Sequence, residues 1–340
     1  MTRTPRLKAR FHALAMGALL SCAFTTTTAH AEQSKVTIAI QYGYAYLPVT
    51  VAEKQGLFRK HASALGEPDA AFEIKRISGA AAINDALISS NVDIGGYGLY
   101  GTLTAWQKTR NNLDIRALCA LVAGDNGFYV NDPAIKSIAD FKPGDKIAVT
   151  APNGQQAVLL QMLAEQQFGE GNAHRMDNLM VALPHPDALA SLVNKAGIKG
   201  YIGPNPYSYI LDHDPSVTKL FDFSKALNMR MTSGVLASTG KFVKGNPHLA
   251  KAVVDAIAEA DEFIRNNPRQ AAQLYLDSEP SKLTLEQTED MLSQVTGEWG
   301  VQPQGVMHLA EFMARTGALK EPLTDWKQVF FDPVAQGEGN

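Results

Sequence analysis

The chain is short of cysteine, of long apolar runs and of catalytic motifs, and each shortage removes a class of protein. Its 340 residues hold two cysteines, Cys22 and Cys119. A secreted scaffold stapled by several disulfides is excluded by that count. The apolar run from Ala13 to Phe24 is about a dozen residues, short of the roughly 20 that a helix needs to cross hydrocarbon, and no later run is longer. There is no G-x-S-x-G elbow, no H-E-x-x-H, no C-x-x-C and no G-x-x-x-x-G-K-[ST] phosphate loop. The eight histidines are scattered: His12 and His30 lie near the N-terminus, and His174, His213, His248 and His308 lack metal-ligand spacing. The sequence therefore reads as that of a non-enzyme with no metal site and no cofactor.

What is present begins at the N-terminus. Arg3, Arg6, Lys8 and Arg10 precede the apolar run, and a Thr-rich stretch then closes on Ala29-His30-Ala31. A cationic flank, a short apolar centre and an A-x-A exit make a secretory signal peptide over residues 1–31, cut after Ala31. Leu19-Leu20-Ser21-Cys22 offers a competing exit, at which a lipoprotein signal would be cut before Cys22. Removing residues 1–31 strips four cations and no anions, so the formal charge moves from −3 to −7. A chain this acidic is a poor partner for nucleic acid or for an anionic membrane. Cys119 is then the one thiol left; within Ile115–Val122 it reads as a small buried hydrophobe.

From Lys35 onward, short β-branched runs alternate with amphipathic stretches, the pattern of helices flanking a largely parallel sheet. Strands are expected at 36–40, 72–77, 92–95 and 115–122, with helices at 47–60, 80–90 and 100–109. A second series has strands at 128–131, 146–150, 179–183, 200–202 and 219–223, with helices at 155–168 and 187–196. Residues 233–238 read as a strand that follows no helix. Beyond Pro247 the apolar spacing is near 3.6, giving helices at 247–266, 268–276, 285–294 and 306–316. This order predicts an α/β protein of two lobes, 32–124 plus 233–340 and 125–232, the second inserted in the first and joined by two hinge crossings near Gly124 and Ser233. Ligands of open α/β sheets bind beyond the carboxyl ends of the strands, so two such edges facing across a hinge make a closable cleft.

The order of several short elements resembles a known family. Ile38-Ala39-Ile40-Gln41-Tyr42-Gly43 leads into Tyr46-Leu47-Pro48 and Val51-Ala52-Glu53-Lys54-Gln55-Gly56-Leu57-Phe58. Asn84-Asp85-Ala86-Leu87, Val92-Asp93-Ile94-Gly95, His185-Pro186-Asp187-Ala188 and Asn266-Asn267-Pro268-Arg269-Gln270-Ala271-Ala272 follow. Together they resemble the periplasmic solute-binding proteins of ABC importers for nitrate, sulfonate and taurine, a group related to pyrimidine-precursor binders. The resemblance implies a periplasmic-binding-protein fold of the type II kind, a periplasmic location, a small-molecule solute and an inner-membrane ABC permease as partners, and a monomer. A secreted enzyme on the same fold, or a binding protein feeding a chemoreceptor, are the alternatives.

The resemblance places the ligand among loops that follow the strands. Gln41, Tyr44 and Tyr46 come from the first, where aromatic faces with phenolic tips suit a solute with apolar and polar parts; Tyr42 is expected to pack beneath it. Tyr97, Gly98 and Tyr100 come from the second, whose glycines admit close backbone approach. Asn153, Gly154 and Gln155 offer amides that both donate and accept. His185, with Asp187 as the expected helix cap, and then Asn205 and Tyr207 complete the edge. Arg230 is the best-placed cation for an anionic solute; Lys75 and Arg76 read as lying on a solvated face or strand end.

Overall fold

The computed structural model describes residues 32–340 except 78, 153 and 333. The export signal read over residues 1–31, with its cut after Ala31 and the competing Cys22, lies outside the described residues. Glu32–Asn340 is one compact unit. Its chain runs β1 (Lys35–Ile40), α1 (Leu47–Lys54), α2 (Leu57–Ala64), β2 (Ala71–Arg76), α3 (Ala80–Ile88), β3 (Ile94–Tyr97), α4 (Leu99–Thr109) and β4 (Arg116–Val122). It continues through β5 (Gly127–Val130), β6 (Ile147–Val149), α5 (Gln155–Phe168), β7 (Met180–Ala182), α6 (His185–Val193), β8 (Gly200–Gly203), α7 (Tyr207–Asp212), β9 (Thr218–Asp222) and α8 (Phe223–Ala226). It closes with β10 (Gly234–Ser238), α9 (Gly240–Gly245), α10 (Pro247–Asn266), α11 (Pro268–Ser278), α12 (Leu285–Gln294) and α13 (Val306–Arg315).

These strands form two five-stranded sheets, ordered β2-β1-β3-β10-β4 and β7-β6-β8-β5-β9. In the first, β1 pairs parallel with β2 and β3, while β10 runs antiparallel between β3 and β4. In the second, β6 pairs parallel with β7 and β8, while β5 runs antiparallel between β8 and β9. The reversed strand in each sheet is the one that has just arrived from the other. A strand entering from the far sheet starts at the edge where its new neighbours end, so it must run against them.

Alternation within the strands of the second sheet separates its two faces. Phe128, Ile147, Val149 and Ile202 join the large core that extends through the first sheet. Tyr129, Ala148 and Tyr201, one residue out of phase, pack with Ala188, Leu192 and Leu211 on the other side. Cys119 is fully buried in β4, as its apolar neighbours imply.

Three local expectations are corrected. The single helix read over 47–60 is two, because Gly56 adopts a left-handed φ of 69° that lets the chain turn and restart. Asp187 does not cap α6: the helix begins two residues earlier at His185, with Pro184 as N-cap and Pro186 in the first turn. Strand β3 starts at Ile94 and runs through Tyr97, so this tyrosine belongs to the strand.

Candidate functional site

Because β1, β2 and β3 are parallel, their carboxyl ends share one edge of the first sheet, and those of β6, β7 and β8 share one edge of the second. The loops leaving these edges carry nearly all the residues singled out in the sequence. After β1, Gly43 at φ 122° lets the chain double back, and its N–H donates to Glu279 Oε2 at 2.8 Å. Gln41 Nε2 donates to the Tyr46 hydroxyl at 2.9 Å, which donates in turn to Gly96 O at 3.2 Å. Tyr44 donates to Glu298 Oε2 at 3.0 Å and meets Trp299 edge to face at 6.1 Å. Tyr44 and Tyr46 are both buried, whereas Tyr42, expected to pack beneath the loop, is 51% exposed. Its ring lies under the Arg76 guanidinium, 5.2 Å from the centroid.

The second loop brings the two sheets together. A side chain on Gly98 would stand 3.4 Å from Gln155 Oε1, so the starts of α4 and α5 approach one another. Tyr97 is buried with its hydroxyl unpartnered, and Tyr100 is half-buried. Gly154 is the N-cap of α5; its N–H donates to Ala151 O at 3.0 Å. Asn153 lies outside the described residues. Neighbouring Gln156 ties this edge together: its Oε1 accepts from Thr150 N and Oγ1 at 2.8 and 2.7 Å, and its Nε2 donates to Ile202 O at 2.5 Å.

On the remaining edge, His185 Nδ1 shares a 2.6 Å hydrogen bond with the Tyr201 hydroxyl, and its ring stacks on Tyr207 at 5.0 Å. Burial lowers its pKa to about 4, so the imidazole is neutral near pH 7. Asn205 Oδ1 accepts from Ser208 Oγ at 2.7 Å, and the Asn205–Pro206 bond is cis. Burial, with Glu279 nearby, raises the pKa of Tyr207, and burial likewise raises those of Tyr44, Tyr46, Tyr97 and Tyr100. The loops thus present neutral phenols, amides and an uncharged imidazole.

Charge near these loops comes from a glutamate the sequence did not point to and from two arginines that it did. Glu279, 6% exposed in its side chain, is ion-paired at 2.8 Å with Arg76. Arg76 also reaches Thr50 Oγ1 at 3.1 Å, so it is a fixed structural cation where a solvated strand end was expected. Arg230 is exposed and donates to Gly297 O at 3.2 Å; it sits beside the second crossing, in the lining of a small cavity with Asp125 and Gln155. No loop leaving either edge contributes a lysine or arginine.

Two other features lie apart from these loops. A groove of about 560 Å³ between α5 and α13 is floored by Met162, Leu227, Met229 and Phe312. Glu32, Glu67 and His248 bring ligand atoms within 4.8 Å of one another. The two Glu32 oxygens accept from the N–H groups of His248 and Leu249 at 2.8 and 2.9 Å, so this cluster serves as the cap of α10.

Two sheets of matching order, each holding one reversed strand delivered by the other, define the periplasmic-binding-protein fold. The aliphatic sulphonate binding protein SsuA of Escherichia coli matches with a TM-score of 0.68 at 17% identity, over 91% of this chain and 95% of that one. The alkanesulfonate-binding SsuA of Xanthomonas axonopodis pv. citri, bound to MOPS, matches with 0.67 at 16%, over 88% and 99%. The nitrate-binding protein NrtA of Synechocystis PCC 6803 matches with 0.66 at 16%, over 90% and 88%. At these identities the likeness establishes the fold. Among curated sequences no relative was found. The NMT1-like family model matches residues 29–275, and the chain belongs to that family.

Proposed function

We propose that this is the exported binding component of an ABC importer, which captures a small organic solute of the sulfonate, taurine or nitrate type between its two sheets and delivers it to an inner-membrane permease. The sheets act as lobes, 32–124 plus 233–340 and 125–232, in a monomeric periplasmic protein without catalytic activity. Gln41, Tyr44, Tyr46, Tyr97, Gly98, Tyr100, Asn153, Gly154, Gln155, His185, Asn205, Tyr207 and Arg230 are its proposed contact set. The observation that carries this reading is the meeting of the two loop edges, where Gly98 approaches Gln155. Among the described residues no helix is long and apolar enough to cross a membrane. A solute bridging both lobes binds the closed form better than the open one and shifts the population toward it.

The test is a thermal-shift screen of residues 32–340, refolded to strip carried-over solute, against propane-1-sulfonate, taurine, nitrate, aromatic acids and pyrimidines. A shift that grows with concentration supports the reading and names the solute class. Tyr44→Phe then weakens that solute by up to about tenfold, since the hydroxyl is removed while the buried ring keeps its packing on Trp299. A screen with no saturable response, on folded protein, refutes a solute of these classes.

A further inference from the structure

Residues 297–304 form a strap laid across both interlobe connections. Along the edge of the first sheet, Ala120 N donates to Val301 O at 3.0 Å, and Val122 bridges to Trp299. On the first connection, Ala123 N donates to Glu298 O at 2.7 Å and Asp125 N to Glu298 Oε1 at 3.5 Å. On the second, Arg230 reaches Gly297 O, and Thr232 N donates to Gln304 O at 2.9 Å. The connections also hold one another, through Gly124 N to Ser233 Oγ at 3.2 Å. Two side chains in the strap reach the binding loop, both at Tyr44: Glu298 through the hydroxyl and Trp299 against the ring. Gly124 makes room for the hydroxyl bond, since a Cβ there would collide with the Tyr44 hydroxyl oxygen.

We propose that Glu298 is a positioning residue that fixes Tyr44 of the binding loop to the interlobe connections, and that its protonation sets how readily the cleft closes. This rests on the solute-binding reading above. The groups facing Glu298 are Tyr44 from the loop after β1, Asp125 from the first connection and Arg230 from the second. Burial pushes the carboxyl up to about 7; the bonds from Tyr44 and Asp125 N–H oppose this, the Asp125 carboxylate adds to it, and Arg230 opposes it. In this proposal, closing draws the strap and connections together, which removes water from Glu298 and favours the neutral acid. Closure therefore takes up a proton, and the closed population grows as pH falls through this range. A one-unit difference between the open and closed forms changes the closed-to-open ratio about tenfold.

Both readouts are taken on residues 32–340 without solute, so the solute screen succeeds or fails independently. Trp299 lies against Tyr44, and its fluorescence reports on the contact. From about pH 5 to about pH 9, around the ionisation of a group near 7, wild-type tryptophan emission shows one transition that Trp299→Phe removes. Glu298→Gln abolishes the transition, and Tyr44→Phe moves its midpoint to higher pH because a bond to the charged form is lost. X-ray scattering gives a smaller radius of gyration at the acid end for wild type and none of this change for Glu298→Gln. A transition that persists in Glu298→Gln, a midpoint unmoved in Tyr44→Phe, or a radius independent of pH in wild type overturns the proposal.

Discussion

Asp261 shows how a single residue can work against the fold that holds it. It sits on the buried face of α10 at 2% exposure, with neither carboxylate oxygen bonded. Burial raises its pKa well above that of a free carboxyl, with Arg265 opposing and Glu262 adding. The folded state therefore holds a proton that the unfolded chain releases near pH 4, and stability declines as pH rises from there through the folded pKa. Asp261→Leu removes the penalty and keeps the branching and the number of side-chain heavy atoms. We expect it to stabilise the protein by about 1–3 kcal/mol at neutral pH and to flatten this decline in thermal melts taken across pH; equal melting temperatures at pH 7 would count against it. That Tyr44 and Tyr46 sit at the carboxyl end of a strand was legible because they stand beside glycine directly after the run 36–40. Glu279 and Glu298 were not, since each reads as an ordinary loop carboxylate, and their partners Gly43 and Tyr44 are 236 and 254 residues away.

Among the elements, long helices were the most legible. Residues 155–168, 247–266 and 285–294 were read to the residue: glycines at 154 and 169 bound the first, and Pro247 and the Thr284 cap start the other two, whose apolar faces repeat cleanly. Direction of strands was not legible: the reversal of β5 and β10 follows from the path of the chain between sheets, which no local pattern records. Nor was the break between α1 and α2, as the apolar spacing runs through it from Leu47 to Phe58. At Gly56 the open surroundings would accept a Cβ, but the left-handed φ of 69° would not. Gly56→Ala is expected to cost about 1 kcal/mol, read as a lower urea midpoint at unchanged slope. A stabilised variant would mean that the two helices merge into the one that the sequence pattern suggests.

At the scale of the whole molecule, contacts between helices also hold the two sheets together. Tyr209 of α7 donates to Asp290 Oδ2 of α12 at 2.8 Å. Arg315 of α13 pairs with Glu165 of α5. Neither pair is deeply buried at its charged end, so each contributes modestly: about 1 kcal/mol or less for the exposed ion pair, more for the phenol bonded to a charged acceptor. In the proposed binding protein, apparent solute affinity equals the intrinsic affinity scaled by the closed fraction, so any shift in that fraction carries into binding. Tyr209→Phe combined with Arg315→Ala is expected to enlarge the radius of gyration of the unliganded protein and to weaken its solute several-fold, with Tyr209→Phe carrying the larger share. Salt should mimic the arginine change and leave the tyrosine change alone, since screening acts on the ion pair. Scattering curves that superimpose for wild type and the double variant would show that closure is set by the strap and the binding loops, with these helix contacts following passively.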